Sequence, residues 1–98
     1  MRRAARIDAN QPGIVKELRQ IPGVSVAITS ALGDGYPDLT VGFRGRTYLF
    51  EIKDPDKPPS KRRLTEEEAE FFARWRGHVA KVESANEILS VLFSLQTA

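Results

Sequence analysis

The stretch GYPDLTVGFRGRTYLFEIK at residues 35–53 constrains the fold more than any other part of this chain. Two runs that are rich in β-branched and apolar residues, 38–43 and 47–53, flank the dipeptide Arg44-Gly45. This pattern predicts an antiparallel hairpin with a two-residue loop, in which the glycine takes a positive φ. Because the loop has a fixed length, it also fixes which residues of the two strands face each other.

The register of this hairpin places two carboxylates on one face of the sheet. If Phe43 pairs with Arg46, Asp38 falls opposite Glu51. Directly opposed side chains have Cβ atoms roughly 4.5 to 5.5 Å apart, and like charges at that spacing repel each other. A divalent cation between them would remove the repulsion, and a few oxygen ligands suit Mg²⁺, or Mn²⁺ as a substitute, rather than zinc. Lys53, two residues along the same face, would stand beside that cation.

Length and composition indicate one small domain, residues 1–98. The hydrophobic fraction of 41% and the charged fraction of 29% are typical of a soluble globular protein. The absence of cysteine excludes disulfides and thiolate metal sites, and it is in keeping with a reducing compartment. The sequence has no apolar run of membrane-spanning length, and no apolar stretch of a signal peptide follows Arg2 and Arg3. We therefore expect a cytoplasmic protein with no membrane partner.

The basic residues are unevenly distributed, although the net charge is only +2. One cluster lies at the N-terminus and another follows the hairpin, which suits contact with a phosphate backbone. A charge run taken alone is more typical of a solvated tail or loop. The two clusters are Arg2, Arg3 and Arg6, and Lys57, Lys61, Arg62 and Arg63.

The remaining patterns predict the element order αβββαβα. Asp8 or Asn10 is expected to cap a first helix, whose apolar stripe is Ile14, Leu18 and Ile21. Glu17 borders this stripe, where a carboxylate either reaches toward the sheet or is an ordinary exposed glutamate. A first strand is predicted over 24–30, with Ser30 closing one face, and a fourth strand over 79–82. A helix between the third and fourth strands implies a crossover, and hence a mixed sheet with helices on its faces.

The second helix carries a capping box and an aromatic stripe. Thr65 with Glu68 three residues later is the pattern of a helix N-terminus. The stripe of Phe71, Phe72 and Trp75 falls at helical spacing and is more typical of a core than of a base-stacking platform. The last helix is predicted to begin with a second capping box at Ser84 and Glu87 and to bury Ile88, Leu92 and Leu95.

The motifs GYPD at 35–38 and EIK at 51–53 lie on the second and third predicted strands, after a helix that bears Glu17. This arrangement resembles the PD-(D/E)XK nuclease superfamily. The segments GYPDLTVG, FEIKDP, LTEEEAEFFARW and RGHVAKVESANE, together with the proline-rich basic loop, are similar to those of the small stand-alone VRR-NUC nucleases of phages and bacteria. The resemblance runs from about Ile14 to Glu87 and so covers nearly the whole chain.

The resemblance implies a restriction-endonuclease-like fold and a set of site residues. Asp38 and Glu51 would bind the metal, and Lys53 would position or activate the attacking water. Glu17 matches the helical acidic residue that completes the metal shell through water, and Ser30 matches a serine that some junction-resolving relatives carry near the scissile phosphate. These assignments would make the chain a divalent-metal-dependent endodeoxyribonuclease.

One position departs from the family pattern. The relatives usually have glutamine where this chain has Glu68. If that glutamine orients water or phosphate, the glutamate puts the role in doubt. The capping box with Thr65 supplies a structural reason for Glu68.

Metal-assisted phosphodiester hydrolysis also follows from the chemistry of the residues. Covalent catalysis is less supported, since the only histidine, His78, begins a predicted strand far along the chain from any serine, where we expect a structural or solvent-facing role. By resemblance, the substrate is branched DNA such as a Holliday junction, the enzyme is a homodimer, and it works in a bacterial or phage-infected host cell without a small-molecule substrate. Two alternatives remain, a non-catalytic nucleic-acid-binding module on the same fold and a structural or interaction protein.

Overall fold

The computed structural model describes residues 7–94 of the chain. The predicted N-terminal basic cluster, Arg2, Arg3 and Arg6, lies outside the described residues, and so does Leu95 of the last helix. The helices within residues 7–94 have at most ten residues, too few for any of them to span a bilayer.

Three α-helices and four strands follow one another in the predicted order αβββαβα. Two short 3-10 turns, Ser30–Leu32 and Pro59–Lys61, lie in the connections. The first strand is shorter than predicted, so Ser30 lies in the turn that follows it. The bounds are α1 Gln11–Arg19, β1 Val24–Ile28, β2 Leu39–Phe43, β3 Arg46–Ile52, α2 Glu66–Arg74, β4 His78–Val82 and α3 Ala85–Ser94.

The four strands form a single mixed sheet in the order β1-β2-β3-β4. The neighbours β1 and β2, and β2 and β3, are antiparallel, whereas β4 runs parallel to β3. The parallel pair is the one that α2 connects, as expected for a crossover helix. The fold class is therefore α/β with a mixed four-stranded sheet, as predicted.

The hairpin has the predicted loop and register. Phe43 pairs with Arg46, and Leu39 pairs with Phe50. Both loop residues adopt positive φ, 52° at Arg44 and 78° at Gly45. Two consecutive left-handed residues make a type I′ turn, whose twist matches that of the flanking strands. The loop therefore brings the start of β2 opposite the end of β3.

The core lies on one face of the sheet, under α1 and α3. The apolar stripe of α1 is buried as predicted at Ile14, Val15 and Leu18, whereas Ile21 lies beyond the end of the helix and is half-buried. Alternate residues of β2 and β3 complete this core because side chains on a strand alternate between faces. The buried residues from the sheet and α3 are Leu39, Val41, Phe43, Tyr48, Phe50, Ile52, Val82, Ala85, Ile88 and Leu92.

Helix α2 lies outside this core. It begins with the predicted capping box, in which Thr65 Oγ1 accepts from the Glu68 N–H and a Glu68 oxygen accepts from the Thr65 N–H. Every residue of α2 keeps at least partial exposure, and Trp75, which follows the helix, is 39% exposed. The expectation that Phe71, Phe72 and Trp75 form core was wrong. Helical periodicity identifies an apolar stripe but not the surface that covers it.

Two smaller expectations have clear outcomes. His78 is exposed, and its ring stacks on Tyr48 with centroids 4.9 Å apart, in keeping with a structural or solvent-facing residue. At the start of α3, Ser84 Oγ accepts from the Glu87 N–H, but the Glu87 carboxylate accepts from the Glu83 N–H. The second capping box therefore differs from the standard one, because Glu87 accepts from the N–H of the residue before Ser84 and not from that of Ser84 itself.

Candidate active site

The hairpin register brings Asp38 and Glu51 together on the face of the sheet opposite the core. Asp38 directly precedes β2, and continuing the β2–β3 pairing by one residue places it opposite Glu51. The Ile52 N–H donates to Asp38 Oδ2 over 2.9 Å, which fixes the direction of this side chain. Glu51 is only 5% exposed. Glu51 therefore lies on strand backbone, and Asp38, one residue before β2, is tied to β3 by the Ile52 N–H.

Both carboxylates are destabilised as anions. Burial raises the pKa of Glu51 to about 10, and the negative charges of Asp38 and Glu68 act in the same direction. Burial also raises the pKa of Asp38, although hydrogen bonds from the Ile52 N–H and from the Glu51 and Ser30 side chains oppose the rise. Two such groups on one face favour a proton or a cation between them.

Lys53 lies beside this pair and is held by a third carboxylate. Its Nζ donates to Glu68 Oε1 over 2.8 Å and lies 3.7 Å from Glu51 Oε2. Burial opposes the charged state of both partners, but their mutual hydrogen bond, the attraction between their charges and the contacts with neighbouring groups together outweigh it, so the pKa of Lys53 is raised and that of Glu68 is lowered. The ammonium group is therefore charged and fixed in position.

Glu68 has a role in the site that its sequence pattern did not reveal. The same Oε1 atom accepts from Lys53 Nζ and from the Thr65 N–H. At the level of sequence the resemblance raised a site role for position 68 and the capping box supplied a structural reason for Glu68, but no local signal pointed to Lys53, fifteen residues earlier. The Glu68 carboxylate thus joins the start of α2 to Lys53, the residue that follows β3.

A close backbone contact holds α2 over the site. Gly35 adopts φ 78°, and a Cβ there would clash with the carbonyl oxygen of Glu67 in the first turn of α2. Only glycine fits both the left-handed conformation and the contact. The loop before Asp38 therefore packs directly on the helix that carries Glu68.

Ser30 lies in the cleft, and Gln11 positions it. Gln11 Nε2 donates to Ser30 Oγ over 3.0 Å, and Ser30 Oγ lies 3.4 Å from the Asp38 carbonyl oxygen. Gln11 is 2% exposed although it is polar. No local pattern singled out Gln11, because the contact crosses nineteen positions of the chain.

Asn10 is the N-cap residue of α1, but its side chain does not make the hydrogen bond that was predicted. It makes no capping hydrogen bond; instead, Nδ2 donates to the carbonyl oxygens of Lys53, over 3.1 Å, and of Glu83, over 3.2 Å. Lys53 and Glu83 directly follow β3 and β4. Asn10 therefore ties the start of α1 to the strand ends beside the site.

The structure does not bring Glu17 to the cleft. Glu17 is exposed, because the buried stripe of α1 runs through Ile14, Val15 and Leu18 and leaves position 17 beyond its edge. Of the two interpretations of Glu17, the structure bears out the ordinary exposed glutamate, and the place at the site that the resemblance implied was wrong. Asp8, just before α1, lines the cleft instead and forms an ion pair with Lys57.

The basic loop is divided between the cleft and the surface behind it. Lys57, Lys61 and Arg63 line the cleft, as the phosphate-contact prediction requires. Arg62 turns away, and its Nη1 lies 3.8 Å from Glu83 Oε2. Its predicted role in binding nucleic acid is therefore not supported by its position.

The cleft is open, with a volume of about 860 Å³. Its floor carries the three carboxylates and Lys53, and basic side chains form part of its rim. Among residues 7–94, no group of three or more histidine, cysteine, aspartate and glutamate side chains is arranged to hold a metal. A magnesium site that keeps several waters needs only one or two protein carboxylates, so Asp38 and Glu51 fit a site of that kind.

No known protein family, curated protein or solved structure matches this chain. The geometry of the cleft and the motifs GYPD and EIK are therefore the features that bear on function.

Proposed function

We propose that this protein is a divalent-metal-dependent endonuclease that hydrolyses phosphodiester bonds of DNA. The observation that carries the proposal is the convergence of Asp38, Glu51 and Lys53 on the floor of a cleft with basic side chains at its rim. Burying two opposed carboxylates and a lysine lowers the free energy of unfolding, because charged groups lose their hydration. Such a cost is expected where the arrangement serves a reaction.

Asp38 and Glu51 would hold the cation through their carboxylate oxygens. When bound, a Mg²⁺ or Mn²⁺ ion would supply positive charge at the phosphate and lower the pKa of a water molecule. The raised pKa of Glu51 supports this assignment, because a cation would stabilise the anionic form that the metal-free site disfavours.

Lys53 would provide a second, permanent positive centre. Its ammonium group is compact, charged and restrained by Glu68, so it needs little reorganisation when negative charge builds up on a phosphate. Ser30, whose hydroxyl accepts from Gln11, would exchange its long hydrogen bond to the Asp38 carbonyl oxygen for one to a phosphate oxygen. Lys57, Lys61 and Arg63 would contact neighbouring phosphates without reading sequence.

The finer features of the proposal come from the sequence resemblance. We propose that the mixed sheet with its flanking helices is a restriction-endonuclease-like core, that the substrate is branched DNA such as a Holliday junction, and that the enzyme is a homodimer. A chain of 98 residues offers little surface for a four-way junction, and two symmetric strands need two cuts. A mass measurement that finds an active monomer at assay concentration would contradict the dimer.

Cleavage of defined DNA substrates tests the proposal. A labelled four-way junction, a linear duplex of the same sequence and a single strand would be incubated with the protein in Mg²⁺, in Mn²⁺ and in EDTA. We expect metal-dependent cutting, fastest on the junction, that Asp38→Asn and Lys53→Met abolish and that Asp56→Asn and Lys16→Met do not. Asp56 and Lys16 are exposed residues that do not line the cleft, so they are matched controls.

The alternative of a non-catalytic nucleic-acid-binding module gives a different result. Binding would persist, no substrate would be cut in either metal, and Asp38→Asn would leave binding unchanged or improve it by removing a negative charge. That combination would contradict the nuclease proposal.

A further inference from the structure

Three aromatic rings form a contiguous cluster beside the cleft. The rings of Phe71 and Trp75 stack, with centroids 5.1 Å apart and an interplanar angle of 19°. Tyr36 meets both of them edge-on, with centroids 5.2 Å from Phe71 and 6.4 Å from Trp75. We call Tyr36, Phe71 and Trp75 the aromatic cluster. It connects the loop before Asp38 to the end of α2.

The aromatic cluster is separate from the hydrophobic core. Tyr36 lines the cleft, and it and Phe71 are half-buried. Trp75 is 39% exposed although Phe71 lies against one face of the indole. An exposed indole ring, backed by two half-buried aromatic rings at the edge of a polar cleft, suits a ligand that is flat and apolar on its faces.

The charge around the aromatic cluster indicates what kind of ligand that is. Arg63 and Lys61 line the same cleft as Tyr36, and the exposed residues Arg74 and Arg76 flank Trp75 in the chain. Aromatic side chains interleaved with basic ones are the usual surface for an unstacked nucleotide, whose base needs a ring and whose phosphate needs a cation. An apolar protein partner would not need the arginines.

We propose that the aromatic cluster is a stacking platform for an unpaired nucleobase of the DNA strand whose phosphate enters the cleft. In a continuous duplex both faces of every base are covered by its neighbours, so only an unpaired or splayed base can use this platform. Such bases occur at branch points and frayed ends. The inference deepens the proposed function, on which it rests, because it gives a physical origin for a preference for interrupted DNA.

Intrinsic fluorescence tests the platform without a mutation, since Trp75 is the only tryptophan in the chain. The wild-type protein in EDTA would be titrated with a short oligothymidylate and with an abasic strand of the same length and charge. We expect the oligothymidylate to quench Trp75 emission and to bind roughly tenfold more tightly than the abasic strand. Equal affinity for the two strands, or binding that leaves the emission unchanged, would overturn the proposal.

Substitutions test whether the unpaired base binds at Trp75. By anisotropy of a labelled strand, Trp75→Ala should reduce the affinity for the oligothymidylate by roughly tenfold and leave the affinity for the abasic strand within about twofold. Phe93→Ala is the matched control, because Phe93 is an aromatic residue of α3 that is 46% exposed and does not line the cleft. If Phe93→Ala weakens binding as much as Trp75→Ala does, the platform is not the binding site.

Because EDTA removes the metal, this experiment is independent of catalysis. Base-dependent quenching without cleavage in Mg²⁺ would support the platform and contradict the nuclease. Cleavage in Mg²⁺ without base-dependent binding would support the nuclease and contradict the platform.

Discussion

Consecutive residues of β3 give the two faces of the sheet opposite character. Tyr48, Phe50 and Ile52 point into the core and are at most 1% exposed. Glu51, between two of them, points to the other face, where Lys53 and Asp38 join it. The core face is dominated by apolar packing, whereas the cleft face carries two carboxylates, Asp38 and Glu51, whose pKa values burial has raised.

The comparison indicates where stability and activity reside. Substitutions on the core face should lower the free energy of unfolding without changing the chemistry of the cleft. Substitutions on the cleft face should change that chemistry, and some of them should stabilise the fold. Substitutions on the two sides of one strand separate these contributions, because both sides share the same backbone.

The largest effect is expected on the core face. Phe50 is fully buried among the core residues, so Phe50→Ala should lower the free energy of unfolding by about 3–5 kcal/mol through lost burial and the cavity left behind. Urea unfolding would measure the change. Thr47→Ala, at an exposed position of the same strand, is the control, and a loss as small as the control's would mean that the two faces do not differ as described.

On the cleft face, Lys53→Met should abolish most of the activity and leave the fold intact. Removing one preorganised positive group typically costs roughly 10²–10³ in rate. Single-turnover cleavage rates would measure the loss, and circular dichroism would check the fold. Cleavage at wild-type rate by a folded Lys53→Met protein would remove Lys53 from the mechanism.

Glu51→Gln should inactivate the protein and stabilise its metal-free form. The pKa of Glu51 is raised in the folded state, so the folded protein holds a proton that the unfolded chain releases above its ordinary pKa of 4.5. This stability is fully present below that value and is lost as the pH rises toward about 10, by at most about 1.4 kcal/mol per pH unit. The glutamine amide of Glu51→Gln does not ionise, so the variant lacks this loss of stability at high pH.

Thermal unfolding in EDTA between acidic and mildly alkaline pH would test this. The melting temperature of the wild type should fall as the pH rises, and that of Glu51→Gln should fall less, so that the variant is the more stable protein at the alkaline end. Parallel pH profiles for the two proteins would show that Glu51 is not the source of the pH-dependent loss of stability.

The smallest effects are expected at Glu68, where the cap and the site share one carboxylate. Thr65→Ala and Glu68→Ala should each cost about 1 kcal/mol of stability through the lost cap. Only Glu68→Ala should also reduce the cleavage rate, because it alone releases Lys53. Glu68→Gln keeps a hydrogen-bond acceptor and should recover part of the rate; equal rates for Thr65→Ala and Glu68→Ala would assign Glu68 to capping only.

The features that sequence predicted well are local ones. The hairpin register follows from a two-residue loop and strict alternation, and it alone placed Asp38 opposite Glu51. The capping box of α2 likewise lies within four residues. In each case the residues that determine the geometry are neighbours in the chain, so no tertiary information was needed.

The features that sequence missed depend on contacts between distant segments. Asn10 and Gln11 reach residues that are 43 and 19 positions away, and nothing local distinguishes them from ordinary polar residues at a helix start. Glu17 borders the apolar stripe, and helical periodicity does not say whether a residue at that border faces the cleft or solvent. The exposure of Trp75 depends on which surface covers α2, which helical periodicity does not encode.

The central claim is that Asp38 and Glu51 form a divalent-metal site. Electron paramagnetic resonance of free Mn²⁺ would measure it directly, with the Lys53→Met protein bound to uncut four-way junction as the parent. We expect the complex to remove Mn²⁺ from solution, and the same complex carrying Asp38→Asn to remove much less, while Asp56→Asn behaves as the parent does. Equal loss of the Mn²⁺ signal with and without the Asp38 carboxylate would contradict the claim.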